Sequence, residues 1–266
     1  MTTPILMLGA GRMGGAMLDG WLAAGAFAPG DLLIRDPNPG PSALAAAEAG
    51  ASLNPPEAEL ARARTVVLAV KPQLWRDAAA DVASWLSADA VIVSIAAGVK
   101  SQDIGQAFGG RPVARVMPTT AAAIGRGTAS LFADDPAALS RAHALFEPLG
   151  AVVDLVDEGQ MHAATAVSGS APAYLYAFIE ALEGAGAAAG LSPADARRLA
   201  RSTLTGAAAL LEKTGEDPAE LRRQVTSPGG TTEAALNVLL QARGGLPDLL
   251  REAVGAAVRR SKELGG

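Results

Sequence analysis

The sequence predicts an α/β fold: a doubly wound, largely parallel sheet with helices on both faces, followed by an all-helical region. Three observations carry this. Unbroken apolar runs recur at residues 5–8, 32–34, 65–70, 91–95 and 113–117, with Ala-rich stretches of helical texture between several of them. A strand buried on both faces needs such a run. The glycine cluster Gly9-Ala10-Gly11-Arg12-Met13-Gly14-Gly15 follows the first run and leads into a helical pattern through Met17, Leu18, Trp21 and Leu22. After about Asp157 the β-branched runs stop, and long stretches at helical period replace them.

Taken in order, the first run, the glycine turn and the pattern behind it make a strand, a tight turn and a helix. The next four runs supply the remaining core strands. Less regular strands are expected at 128–132 and 151–156, with a helix at 136–149 between them. Helices are expected at 171–189, 192–213, 217–225, 231–241 and 246–264. Ser192-Pro193 and Asp217-Pro218 each set an N-cap residue before a proline at the first helical position, and Gly190 and Gly215 follow helix ends. The chain therefore divides into residues 1–157 and 158–266.

Composition limits the chemistry. With 266 residues, 50% hydrophobic and 18% charged, the chain can bury a sizeable core and is not disordered. Aromatics are only 4%, so Ala, Val and Leu build the core, and small side chains let helices approach closely. The 22 basic residues are scattered and the net charge is −5, which argues against a nucleic-acid partner. With no cysteine there are no disulfides, thiol nucleophiles, thiolate metal sites or iron–sulfur clusters, and with only His143 and His162 there is no multi-histidine metal site. Neither histidine has an evident partner, so both read as solvated or packed. The amino terminus lacks the basic region of a signal peptide. The longest stretch free of charge, between Glu158 and Glu180, is interrupted by glycine, proline and hydroxyl residues. A cytoplasmic protein with no membrane span and no metal is expected.

The glycine cluster is a Rossmann-type fingerprint. Gly9 allows the tight turn, Gly11 lets backbone approach a pyrophosphate, and Gly14 lets the helix sit close to the strand. Helix N-terminal N–H groups then face the phosphates. Asp36 ends the second strand, where a carboxylate accepts from ribose hydroxyls and repels a 2′-phosphate, favouring NADH. Arg35 beside it pulls towards NADPH. The alternative for the two is a solvated charge pair. Further strand ends, Ala69-Val70-Lys71-Pro72, Ile95-Ala96-Ala97-Gly98 and Met117-Pro118-Thr119-Thr120, can form a floor for the nicotinamide, although proline there is also ordinary punctuation. Lys71 reads better as a structural or phosphate contact than as a catalyst.

In the helical region, Thr226-Ser227-Pro228-Gly229-Gly230-Thr231-Thr232-Glu233 breaks one helix and opens the next. Hydroxyls there are expected to cap the helix, and exposed N–H groups suit a small carboxylate. A second cluster, Ser168-Gly169-Ser170-Ala171-Pro172-Ala173-Tyr174, opens a long helix. A well-capped connection is the plain alternative for both. The wide Ala- and Gly-rich faces predict pairing with a second copy, as against a loosely packed monomeric bundle.

With these motifs in order, and with Ser94 and Arg115 beside them, the chain resembles pyrroline-5-carboxylate reductase over essentially its whole length. The stretch from Ser227 to Thr232 carries most of the specificity. The resemblance implies reduction of 1-pyrroline-5-carboxylate to L-proline with NADPH or NADH, the last step of proline biosynthesis. It also implies a helical dimerisation domain interlocked in a homodimer, often assembled further into a decamer, and an active site in the cleft between domains. The cofactor side falls to Gly9, Gly11, Arg12, Met13 and Gly14, to Arg35 and Asp36, to Ala69, Val70, Lys71 and Pro72, and to Ala96, Ala97 and Met117. Ser227, Gly230 and Thr231 would receive the substrate carboxylate, and Thr232 would lie near the ring nitrogen, making Ser227 and Thr232 the catalytic pair.

Departures from the family pattern are Thr119 and Ala121 in place of an asparagine and a proline, Ala171 for glycine, and Pro56 where an adenosine-side asparagine is common, with Asn54 nearby. Two other readings stand beside this one. A β-hydroxyacid dehydrogenase would carry a lysine on the helix entering the second domain, and residues 161–174 have none. A non-enzymatic nucleotide sensor is the other.

Overall fold

The computed structural model describes residues 2–265. Its first strand, β1 (Ile5–Leu8), is buried along its full length and is followed by helix α1 (Arg12–Ala24). Then come β2 (Leu32–Arg35), α2 (Pro41–Glu48), β3 (Ser52–Leu53), α3 (Glu57–Leu60), β4 (Thr65–Leu68), α4 (Trp75–Val82), β5 (Val91–Ser94) and α5 (Ser101–Ala107). The sheet is completed by β6 (Val113–Pro118), β7 (Gly127–Phe132), α6 (Pro136–Phe146) and β8 (Gly150–Asp154). A short helix α7 (Met161–Ala164) runs into a π-helical turn, Thr165–Gly169. The rest is helical: α8 (Ala171–Ala188), α9 (Pro193–Thr214), α10 (Pro218–Gln224), α11 (Thr231–Leu239) and α12 (Leu246–Gly265).

The eight strands form one sheet in the order β3-β2-β1-β4-β5-β6-β7-β8. Every pairing is parallel except β6 with β7. Register follows the burial of both faces: Ile5 stands beside Leu32 on one side and Thr65 on the other. Odd and even residues of a strand point to opposite faces, so two cores result. One gathers Ile5, Met7, Trp21 and Phe146, and the other Leu6, Leu8, Trp75 and Phe108. Trp21 is fully buried, and its indole N–H donates to the Leu145 carbonyl at 2.7 Å.

Contacts divide the chain into two units. One holds the residues up to Gly169 together with those from Ala257 on, and the other is Ser170–Ala256. This division by contacts has its first boundary at Gly169 and its second within α12. Helix ends in the second unit follow the sequence signals. Ser192 accepts from the Asp195 N–H, Asp217 accepts from the Ala219 N–H, and Gly215 closes α9 in the left-handed region. Within this unit α8 and α9 pack on each other, yet α8 buries no residue and Ala196 and Ala200 are the buried hydrophobic residues.

Candidate active site

In this sheet β1 is flanked by β2 on one side and β4 on the other, so the strand order reverses beside it. Ligands of open α/β sheets bind outside the carboxyl ends of strands at such a point. A cleft of about 690 Å³ opens there, within the range of roughly 300–1,000 Å³ usual for cofactor and small-molecule sites.

The glycine turn forms one wall. Gly9 has φ +89°, and a Cβ on it would stand 2.9 Å from Val70 Cγ1. Gly14 faces the back of the turn, where a Cβ would meet the Gly9 carbonyl oxygen at 2.3 Å. Gly11 is different, because a Cβ there would find nothing within 4 Å. The protein itself gives no steric reason for glycine at that position. Gly11 is also the N-cap of α1, with no side-chain capping bond and no acidic residue in the first turn. The first N–H groups of the helix are therefore left for an anion. Arg12, Met13 and Lys71 line the same wall.

The rim at the end of β2 is tightly hydrogen-bonded. Asp36 Oδ2 accepts from the Ala10 N–H at 2.6 Å and Oδ1 from the Asn38 N–H at 2.8 Å. Asn54, at φ +50°, accepts from the Asp36 N–H and donates to the Asp36 carbonyl, both at 3.0 Å. It is Asn54 and not Pro56 that lines the cleft, since Pro56 is the N-cap of α3. Arg35 also lines it. Its Nη1 is buried without a hydrogen bond, 3.7 Å from Glu57 Oε1.

Ala69, Val70, Ala97 and Met117 line the floor, with Ile95 and Pro118. Three residues expected at the cofactor stand behind the lining. Gly14 backs the turn, Pro72 opens a 3-10 turn whose later residue Leu74 reaches the cleft, and Ala96 is turned into the core at 4% exposure. The Thr119 hydroxyl that replaces the family's asparagine is occupied internally, accepting from the Thr128 N–H at 3.0 Å.

A part-buried polar cluster lies beside the floor. Arg115 on β6 is 4% exposed and donates to Glu158 Oε1 at 3.0 Å, and that oxygen also accepts from the Ser101 N–H at 2.7 Å. Glu158 was not among the residues the sequence marks for the site. The visible signal was the arginine inside an otherwise apolar strand, which demands a buried partner. Both histidines are partnered, contrary to expectation. His143 Nδ1 and Nε2 lie 2.9 Å from Glu147 and Asp154, and His162 Nδ1 is 3.0 Å from Ser261 Oγ. Those partners come from the residue that ends α6, from β8 and from α12.

In the second unit the Ser227–Thr232 segment leads into α11. Gly229 takes the left-handed conformation and Gly230 is the N-cap, with no side-chain capping bond. The expected hydroxyl cap is therefore absent; Thr231 and Thr232 are the first two helical residues. Glu233 reaches back to the Gly229 N–H at 2.8 Å. Ser170 likewise makes no capping bond at the start of α8. Among the described residues the Ser227 and Thr232 hydroxyls have no hydrogen-bond partner, no group of three metal-ligating side chains exists, and no helix is long and apolar enough to cross a membrane.

A dinucleotide suits the first unit: the open face of Gly11, the uncapped start of α1 and the Arg35 side chain all meet one cleft. Comparisons point the same way. Residues 158–264 match a family model described as pyrroline-5-carboxylate reductase dimerisation, and residues 4–98 match one described as NADP oxidoreductase, coenzyme F420-dependent. A pyrroline-5-carboxylate reductase of Pseudomonas aeruginosa is 40% identical over 99% of this chain and 98% of its own length. Among solved structures, a pyrroline-5-carboxylate reductase from Coxiella burnetii covers 100% of both chains at 31% identity with a TM-score of 0.91. The Plasmodium falciparum pyrroline carboxylate reductase with NADP bound covers 99% of this chain and 98% of its own at 25% identity, with a TM-score of 0.84.

Proposed function

Because the chain belongs to the pyrroline-5-carboxylate reductase family, we infer that it reduces 1-pyrroline-5-carboxylate to L-proline with NAD(P)H, the closing reaction of proline biosynthesis. The observation that carries the reading is the cleft at the strand-order reversal, whose glycine turn leaves open space at Gly11.

When bound, the cofactor supplies a hydride to the imine carbon. The protonated imine is already electrophilic, so the protein's part is positioning and charge placement. The N–H groups at the start of α1, with Arg12 and Lys71, hold the pyrophosphate. Ala97 and Met117 support the nicotinamide. In the second unit, Ser227 and the N–H groups of Gly230 and Thr231 take the substrate carboxylate. Thr232 holds the ring nitrogen and keeps its proton in place as the amine forms. The hydroxyls left without internal partners support this division of labour.

We favour NADH over NADPH. A 2′-phosphate at the end of β2 would meet the Asp36 carboxylate, and Arg35 stands near Glu57. The unbonded Arg35 Nη1 is the observation that speaks for NADPH. The same reading takes the protein as a cytoplasmic homodimer able to assemble into a decamer. Leu175, Tyr176 and Phe178 are exposed on α8, an apolar face of the kind that marks association.

The deciding assay mixes the purified protein with 1-pyrroline-5-carboxylate and NADH or NADPH and follows loss of nicotinamide absorbance and formation of proline. Oxidation with proline formed is expected with both cofactors, faster with NADH. No oxidation with either would leave the nucleotide-sensor reading.

A further inference from the structure

The loop after β5 carries Ile95 and Ala97 to the cleft and turns back through Gly98, at φ +80°, into α5. This helix has no cap of its own, because Lys100 occupies the N-cap position without a capping bond. The acceptor comes from 57 residues away: Glu158 Oε1 takes the Ser101 N–H, and Arg115 Nη1 donates to the same oxygen. The segment also packs. Met161, 2% exposed, clusters with Met117 and Phe132, and Ala97 lies against them.

General stability is a poor reason for this arrangement. Desolvating a guanidinium and a carboxylate consumes most of what their attraction returns, and apolar replacements of buried pairs are often as stable. What the pair gives instead is direction. It fixes one backbone N–H at the point where the cleft-lining loop becomes helix. The carboxylate stays ionised: burial works to raise its pKa, but the Ser101 N–H and the Arg115 guanidinium outweigh that and hold it below the usual glutamate range.

We propose that Glu158 is a positioning residue of the cofactor site: held by Arg115, it anchors the start of α5 and so sets where Ala97 meets the nicotinamide end of the cofactor. This rests on the reading of the cleft as the NAD(P)H site. Neither Glu158 nor Arg115 lines the cleft, so their effect passes through the loop.

The test measures the Kd of NADH and NADPH by fluorescence titration, and KM against kcat, for the parent protein, Glu158→Ala, Glu158→Gln and Ser101→Pro. Ser101→Pro removes the donated N–H together with the Ser101 hydroxyl, which also bonds the Glu158 carboxylate; Ser101→Ala, measured beside it, removes the hydroxyl alone and should bind cofactor within about threefold of the parent. Proline is welcome at the first helical position, and Lys100, at ψ 146°, already has the conformation that a following proline requires. Glu158→Ala and Ser101→Pro are each expected to raise cofactor Kd and KM about tenfold, the scale seen when an outer support of a bound group is lost. Glu158→Gln, which keeps an acceptor, should stay within about threefold. A merely structural role would lower Tm and the yield of folded protein with cofactor Kd unchanged. Should Glu158→Ala give no soluble protein, Ser101→Pro decides alone. Parent-like cofactor Kd in Ser101→Pro overturns the proposal. If the parent binds neither cofactor, the reading of the cleft falls and the proposal with it.

Discussion

Asp36 Oδ2 accepts a hydrogen bond from the Ala10 N–H at 2.6 Å, so the carboxylate that ends β2 also fastens the glycine turn at the end of β1. Its other oxygen takes the Asn38 N–H. One side chain thus shapes the turn and places negative charge at the rim of the cleft. Asp36→Asn keeps the volume and removes the charge. The ratio of kcat/KM for NADPH over NADH should rise about tenfold, with NADH efficiency falling because one of the two N–H groups loses its acceptor. Steady-state kinetics with both cofactors check this. An unchanged ratio would remove Asp36 from cofactor choice.

Two glycines of the same turn should behave in opposite ways. Gly14→Ala drives a methyl to 2.3 Å from the Gly9 carbonyl oxygen. The helix must shift away, at a cost of about 3 kcal/mol and a Tm lower by roughly 5–10 °C. Gly11→Ala meets no protein atom within 4 Å and should cost under about 1 kcal/mol as a change of N-cap. Its effect belongs to binding: on the proposed placement of the cofactor, KM should rise about tenfold or more, since the methyl would fill the space that the pyrophosphate takes. Thermal melts beside cofactor titrations of the two variants separate the roles.

Thr232 stands in the first turn of α11 with its hydroxyl unengaged among the described residues. Thr232→Ala is expected to lower kcat about 100-fold, the scale of losing one donor or acceptor aimed at developing charge. Cofactor Kd should not change. Single-turnover rates measured with saturating cofactor check the role, and turnover like the parent's would assign the ring nitrogen to another group.

The exposed face of α8 offers Leu175, Phe178 and Leu182 at helical spacing. If that face joins two copies, Leu175→Glu with Phe178→Glu places charges where the partner's apolar surface should be. The solution mass by analytical ultracentrifugation should fall from the parent's to that of a single chain. A variant that keeps the parent's mass would put the interface elsewhere.

The parts legible in the sequence were those whose physics is local. A short run rich in β-branched residues, such as 91–94, reads as a strand covered on both faces, and Gly9, Gly11 and Gly14 carry their turn in their spacing. Ser192-Pro193 and Asp217-Pro218 announced helices that begin there. Strand β3 has only two residues and no apolar run; its register, Leu33 beside Ser52, depends on β2 being already in place. The π-helical turn at Thr165–Gly169 left no mark, since Ala and hydroxyl residues suit several backbones equally. Periodicity showed that α12 exists but not which unit its end joins, a matter decided by contacts such as Ser261 with His162. At the site, the lining was readable from strand ends. Glu158 was not, because an acidic residue at a helical start reads as solvated until Arg115 and Ser101 are seen beside it.

The two histidines give stability a pH dependence of opposite sign. For His143, burial alone would depress the pKa, but the hydrogen bonds to Glu147 and Asp154, with their charges, reverse this and raise it above 6.5. Its contribution is therefore complete below pH 6.5 and is lost as the pH rises through the folded-state value. For His162, burial, then Arg115 and Lys262, lower the pKa below 6.5, with Glu158 opposing. Its contribution is complete above 6.5 and is lost as the pH falls from there through the lowered value. Tm should thus decline on both sides of about pH 6.5. In melts recorded across pH 4.5–8.5, His143→Gln should flatten the alkaline limb alone and His162→Gln the acidic limb alone. If either substitution flattened the other limb, the assigned partners would be wrong. The His143 effect reports how firmly α6 holds β8, and the His162 effect how firmly α12 is tied beside Arg115.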